Sequence, residues 1–234
     1  MSPAGTLPEP QVEAMFDRIA GGYDRMNSVM TAGMHHRWRE RAADLARLRP
    51  GDRALDVATG TGDLCVELDR RVSPGGEVVG LDFSESMLEL ARRKAPGIRF
   101  EAGNALELPY ADGEFAAATV GFGARNFSDL SRGLSEMVRV TRPGGRVVVL
   151  EITTPRRPPL SWFFSVWFDR AVPALGRLAG DPDAYEYLPS SVRRFPGPHD
   201  LAAELAGAGL EDVTYLLTAG GIIAIHAGTV SARP

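Results

Sequence analysis

Two glycines and two aspartates carry the first chemical signal in this sequence. The stretch Leu55-Asp56-Val57-Ala58-Thr59-Gly60-Thr61-Gly62-Asp63 runs an apolar strand into a glycine turn, with a helix opening directly behind it. Gly60 and Gly62, among small neighbours, let backbone approach a ligand closely, and the helix start presents free N–H groups. A second apolar run, Val78-Val79-Gly80-Leu81, ends in Asp82 about twenty residues further on, where a carboxylate can accept hydrogen bonds from both hydroxyls of a ribose. A lone Gly-x-Gly would fit an ordinary strand–turn–helix equally well. The pairing with Asp82 favours a nucleoside-binding βαβ unit.

The dinucleotide fingerprint wants a third glycine three residues after Gly62, and that position holds Cys65. Asp63 would repel a pyrophosphate at the helix N-terminus but tolerates a cationic ligand. S-adenosylmethionine meets both conditions, being an adenosine that carries a sulfonium and an amino-acid tail but no phosphate. Asp56 is expected to fix the glycine loop or to reach the amino-acid end. Thr59, Gly60, Thr61 and Gly62 form the loop, and Thr61 offers backbone and hydroxyl to the carboxylate.

These residues need an α/β frame. Strands are predicted at Ala54–Ala58, Glu77–Asp82, Ile98–Ala102, Ala116–Gly121 and Arg146–Ile152, with helices at Gly62–Arg70, Ser84–Lys94 and Ser128–Arg142. Strands separated by single helices pair in parallel through right-handed crossovers. Val213–Thr218 and Ile222–Gly228, split by Ala219-Gly220-Gly221, read as an antiparallel hairpin. Residues 1–10 are expected to form a flexible arm and 11–230 one domain. In it, 11–48 are helices placed to cap the ligand crevice, and 155–197 are an insertion that covers the substrate.

The composition narrows the partners. The 234 residues are enough for one large α/β core, and a net charge of −4 with scattered basic residues argues against nucleic acid. A single cysteine fits a reducing compartment, the cytoplasm, and no leader or membrane-spanning run is expected. Among the four histidines, His35 and His36 are adjacent and expected to point apart on a helix, so no metal site is read.

The order of elements resembles the class I methyltransferase fold, a Rossmann-like seven-stranded sheet closed by a C-terminal antiparallel hairpin. The resemblance narrows with Phe16-Asp17-Arg18-Ile19-Ala20, Tyr23-Asp24, Asn27, Gly33 and Trp38-Arg39. It narrows again with Gly121-Phe122-Gly123-Ala124-Arg125-Asn126, Pro143-Gly144-Gly145, and Tyr185-Glu186-Tyr187-Leu188-Pro189-Ser190-Ser191. These are similar to the signatures of the demethylmenaquinone and ubiquinone-pathway C-methyltransferases, from about residue 14 to 228. Ala58 stands where many methyltransferases carry the loop's first glycine.

The resemblance implies methyl transfer from S-adenosylmethionine to a ring carbon of a prenylated hydroquinone derived from the membrane. Asn104 and Ala105 then correspond to the position that meets the adenine amino group, and Gly121 lets the chain pass the methionine portion. A phenol-like hydroxyl has a pKa of roughly 10, so a base or cation must lower it. Arg125 is a candidate to stabilise the developing phenolate, with Asn126 or a water as relay; a structural ion pair of Arg125 with Glu151 or Asp24 is the even alternative. Asp24 is a candidate base or a helix cap, and Tyr23 accompanies it in the capping segment. The aromatic run Ser161–Phe168 reads as a wholly buried helix or as a substrate cover. With Arg156, Arg157 and Arg170 beside it, the cover would make transient contact with the inner face of the membrane. Two other functions stay open: action on a different aromatic metabolite, and a non-catalytic subunit that binds S-adenosylmethionine.

Overall fold

Val147, Val148, Val149 and Leu150 are buried in succession, the signature of a strand covered on both faces. A computed structural model describes residues 9–155, 158–171 and 182–232. It builds one sheet from β1 (Arg53–Val57), β2 (Glu77–Asp82), β3 (Arg99–Ala102), β4 (Phe115–Gly121), β5 (Thr141–Ile152), β6 (Leu210–Thr218) and β7 (Ile223–Val230). The spatial order is β3-β2-β1-β4-β5-β7-β6. The first five strands pair in parallel, and β7 lies antiparallel to both β5 and β6. The expected sheet and terminal hairpin are both present.

Helices cover each face. Trp38 and Ala42 of α3 (Met34–Leu45), Leu64 and Leu68 of α4 (Asp63–Val72), and Leu88 and Ala91 of α5 (Glu85–Lys94) pack on one side. Leu134 and Met137 of α6 (Leu130–Val140) pack on the other, beside Leu201 and Leu205 from a later helix. Side-chain caps set two starts: Ser84 accepts from Met87 N at 3.2 Å, and Asp129 accepts from Arg132 N at 2.9 Å. The strand order reverses around β1, so the loops after β1, β2, β3 and β4 meet along one carboxyl edge.

Several boundaries differ from the sequence reading. The N-terminal stretch is three helices: α1 (Glu9–Ile19) passes through a 3-10 turn at Ala20–Gly22 into α2 (Tyr23–Thr31), and left-handed Ala32 and Gly33 break α2 from α3. Helix α1 starts inside the expected arm, whose residues 1–8 lie outside the described residues. Helix α6 ends at Val140 rather than Arg142. Pro143 disfavours helical backbone before it, and Thr141 already pairs with Phe115 of β4. Helix α7 (Leu160–Val166) continues as a π-helical turn to Ala171 and is half-buried: Phe164 and Phe168 point inward while Trp162 is 70% exposed. The arginines Arg156 and Arg157 lie outside the described residues, as does the Tyr185 side chain. Helix α8 spans Pro182–Arg194. Helix α9 (Pro198–Gly207) was missed because its Gly-Pro-His-Asp start reads as a turn; Pro198 is in fact its first residue.

Close packing leaves no room at Gly80, where an added Cβ would lie 2.7 Å from Phe100 Cδ1 and 2.9 Å from Cys65 Sγ. The Gly80→Ala protein is expected to lose about 1–3 kcal/mol in urea unfolding, the cost of overpacking a rigid core. An unchanged midpoint would contradict this packing.

Candidate active site

The glycine loop is held by two buried carboxylates. Asp56, at the end of β1, accepts Thr59 Oγ1 at 2.7 Å and Thr119 Oγ1, on the paired β4, at 2.6 Å. Asp82, at the end of β2, accepts the Gly60 N–H at 2.7 Å and the Ser84 N–H at 2.9 Å. Thr59 N donates to Leu81 O at 3.0 Å and completes the tie. Burial pushes both carboxyls up to about 6, against the hydrogen bonds that favour their ionised forms.

A cavity of about 250 Å³ opens above this loop. Asp56, Thr59, Gly60, Thr61, Asp82, Asn104, Ala105, Gly121 and Asn126 line it, with Phe83 beside them. Gly62 does not. It is the N-cap of α4 at φ 80°, and a Cβ there would meet Phe100 at 2.9 Å, so its role is in the turn itself. Gly60 lines the cavity, and a Cβ there would meet no atom. Asn104 Oδ1 accepts Leu106 N at 2.8 Å and shapes the loop after β3. These residues fit S-adenosylmethionine: a carboxylate at the end of β2 and a glycine whose α-carbon faces open space.

A second cavity of about 320 Å³ adjoins it. Phe16, Tyr23, Arg39 and Phe122 belong to the walls of both. Its remaining surface is mainly apolar, from Met15, Ile19 and Met30 to Phe164, Trp167 and Leu188. Arg125 lines it and sits between Glu151 Oε1 and Oε2, each at 3.1 Å, and also donates to Phe122 O. Its Nε is buried with no hydrogen-bond partner among the described residues. Tyr187 donates from its hydroxyl to Asn126 Oδ1 at 3.2 Å, which links the second cavity to the first.

The expected ion pair of Arg125 is therefore with Glu151, not Asp24. Asp24 lines neither cavity. Its carboxylate lies 2.5 Å from Lys94 Nζ and accepts Thr61 Oγ1 at 2.6 Å, which fastens α2 to the loop instead of placing a base at the acceptor. Asp17 is a second fastening, accepting Ser84 Oγ at 2.6 Å. The rings of His35 and His36 do not point apart: their centroids are 3.9 Å from each other, and with Asp63 they bring three ligand-type atoms within 4.8 Å. Asp63 is already engaged by Lys94 at 2.7 Å and Arg39 at 3.5 Å. His35 and Arg39 escaped notice as site residues, although their i, i+4 spacing places them on one face of α3.

Sheet order, glycine loop and terminal hairpin define a class I S-adenosylmethionine-dependent methyltransferase. Solved structures share this fold: a methyltransferase from Thermotoga maritima described as a possible histamine N-methyltransferase has a TM-score of 0.66 at 20% identity, covering 93% of this chain and 98% of that one. The [4+2]-cyclase SpnF has a TM-score of 0.67 at 19% identity, covering 94% and 95%. The model of the ubiE/COQ5 methyltransferase family matches residues 5–230, and the chain belongs to that family. A demethylmenaquinone methyltransferase of Thermus thermophilus is 48% identical, over 92% of this chain and 99% of its own length. A ubiquinone/menaquinone biosynthesis C-methyltransferase of Geobacter sulfurreducens is 40% identical, over 93% and 88%.

The raised carboxyls set a pH dependence. Asp56 has a folded pKa of about 6 against an ordinary 3.8, so the folded state holds its proton longer and stability falls as pH rises through that window. Between pH 5 and 7 this group costs about 1 kcal/mol. The Asp56→Asn protein should show a correspondingly smaller loss of urea stability over that range. Parallel pH profiles for the two proteins would refute the raised carboxyl.

Proposed function

We propose that this protein methylates a ring carbon of demethylmenaquinol, a prenylated hydroquinone, with S-adenosylmethionine as donor. The observation that carries the reading is the shared wall: the cavity bordered by the glycine loop and Asp82 and a larger, more apolar one meet at Phe16, Tyr23, Arg39 and Phe122. The curated relatives with the names given above support the substrate class.

When bound, the donor supplies a sulfonium methyl that is already electrophilic, so the chain's main task is alignment. Asp82 accepts the ribose hydroxyls on the acceptor sites that Gly60 N and Ser84 N leave open on its two oxygens. Thr61 and the loop take the amino-acid end, and Asn104 and Ala105 border the adenine. Gly121 keeps the end of β4 low enough for close approach, since even a Cβ there would already meet Leu64 at 3.2 Å.

In the second cavity, apolar walls exclude water from the ring and its isoprenoid tail. No carboxylate lines this cavity among the described residues, so the hydroxyl is activated by stabilising its oxyanion. Glu151 offsets most of the Arg125 charge. Arg125 then acts as a set of fixed N–H dipoles, and its unpartnered Nε is a donor that costs roughly 1–3 kcal/mol while unmet. Tyr187 and Asn126 extend the same polar line towards the donor.

The test is a methyl-transfer assay with labelled S-adenosylmethionine and reduced demethylmenaquinone or demethoxyubiquinone analogues, with products identified by mass. Ring methylation of the naphthoquinol is expected, with kcat lowered about 100-fold in Arg125→Ala. Donor binding without turnover on either quinol would favour a different aromatic acceptor.

Delivery of a prenylated substrate calls for contact with lipid. No helix among the described residues is long and apolar enough to cross a membrane. Trp162 and Phe163 of α7 are 70% and 54% exposed, and Phe163 lines the second cavity. They form the contact at the inner membrane face through which the quinol enters. In flotation with quinol-loaded vesicles, the wild-type protein should rise with the lipid and Trp162→Ser/Phe163→Ser should not. Wild-type protein left at the bottom would remove this contact.

A further inference from the structure

The donor cavity has an unbalanced set of charges. Glu13, Asp56, Asp63 and Asp82 all border it, and Arg39 is its single cationic lining residue among the described residues. The ligand proposed for it carries a sulfonium and an ammonium, which suit that acidic field, and a carboxylate, which does not. A carboxylate brought among these acids needs a matched cation or it loses more in repulsion and desolvation than its contacts return.

Arg39 is built for that task. The residue is 7% exposed, and its guanidinium lies 5.4 Å from the centre of the Phe122 ring. Every polar contact it makes uses Nη1: to His35 Nδ1, to His35 O at 3.4 Å and to Asp63 Oδ2 at 3.5 Å. Its Nε and Nη2 make no polar contact among the described residues, and neither is a sealed, partnerless atom like Arg125 Nε. These two nitrogens form the fork that engages a carboxylate in a bidentate pair.

Neighbouring groups hold the fork in place. His35 Nδ1 accepts from Nη1, and burial holds the imidazole at a pKa of about 4, so it remains a neutral acceptor at neutral pH. Its other nitrogen rests 3.1 Å from Ser28 Oγ, which in turn donates to Asp24 O at 2.9 Å. Asp63 shares Lys94 with Asp24 and meets Arg39 through Nη1 at 3.5 Å, so this ion pair leaves Nε and Nη2 for a second carboxylate.

We propose that Arg39, positioned by His35, binds the amino-acid carboxylate of the donor and makes helix α3 part of the donor site. The assignment rests on S-adenosylmethionine as donor. Because Arg39 belongs to the N-terminal segment, the carboxylate also ties that segment to the sheet.

Titration calorimetry with S-adenosylmethionine and its decarboxylated form, which lacks only this group, tests the assignment. The wild-type protein should prefer the carboxylated form by about 10- to 100-fold, the worth of a charge-assisted pair. Arg39→Gln should bind the two forms alike, mainly through loss of affinity for the carboxylated one. Arg39→Lys, a point charge without the fork, should fall between. A preference that survives intact in Arg39→Gln, or equal losses for both ligands in both variants, would overturn the assignment. Failure of the wild-type protein to bind either ligand would instead overturn the donor reading beneath it.

Discussion

Everything at this site depends on the burial of Asp56 at the point where the strand order reverses. A carboxylate there is costly, as its raised pKa records, yet it accepts from a hydroxyl on each side. Thr119 fixes it to β4, and Thr59 fixes it to the loop that must stay open for a ligand. Removing either partner would leave a buried charge short of a hydrogen bond, a far larger penalty than the bond's net worth. The geometry of loop and sheet edge is thus set by polar satisfaction, while the apolar layers on either face supply the stability.

The N-terminal helices are the second requirement. They bury few apolar groups against the sheet apart from α3, and α1 and α2 are fastened through side chains instead: Asp17 to Ser84, and Asp24 to Thr61 and Lys94. Val12 and Met15 pack on Tyr187 of α8, so the same segment that roofs the donor cavity also closes the apolar one. Polar fastenings of this kind, partly exposed, are worth little singly and open more readily than a packed core. A roof held in that way suits a site that must exchange a nucleoside and a long apolar ligand.

The donor side was legible in the residues because its chemistry is local. Strand ends, Gly60, Gly62 and Asp82 lie within one βαβ unit, and period and turn chemistry locate them together. The acceptor side was not. Asp24 looked like a candidate base because it is an acid in the capping segment. Its neutralisation by Lys94 spans 70 residues of sequence, and no local pattern reports such a pair. The pairing of Arg125 with Glu151, 26 residues away, was anticipated only as one of two alternatives. Helix α9 was missed because glycine and proline before a helix look the same as glycine and proline in a turn. The rings of His35 and His36 also defied backbone geometry, since side-chain torsions brought neighbours on a helix together.

The surroundings of the two arginines match the different work proposed for them. Arg125 faces both oxygens of the Glu151 carboxylate through Nη1, so its field beyond a few ångströms is that of a dipole. A dipole stabilises an oxyanion that forms against it without binding a neutral quinol so tightly that product is retained. Arg39 meets a neutral imidazole and Asp63 through Nη1 alone, and its Nε and Nη2 have no polar partner among the described residues. Two open donors on a fixed fork suit a ligand that arrives already anionic at one end.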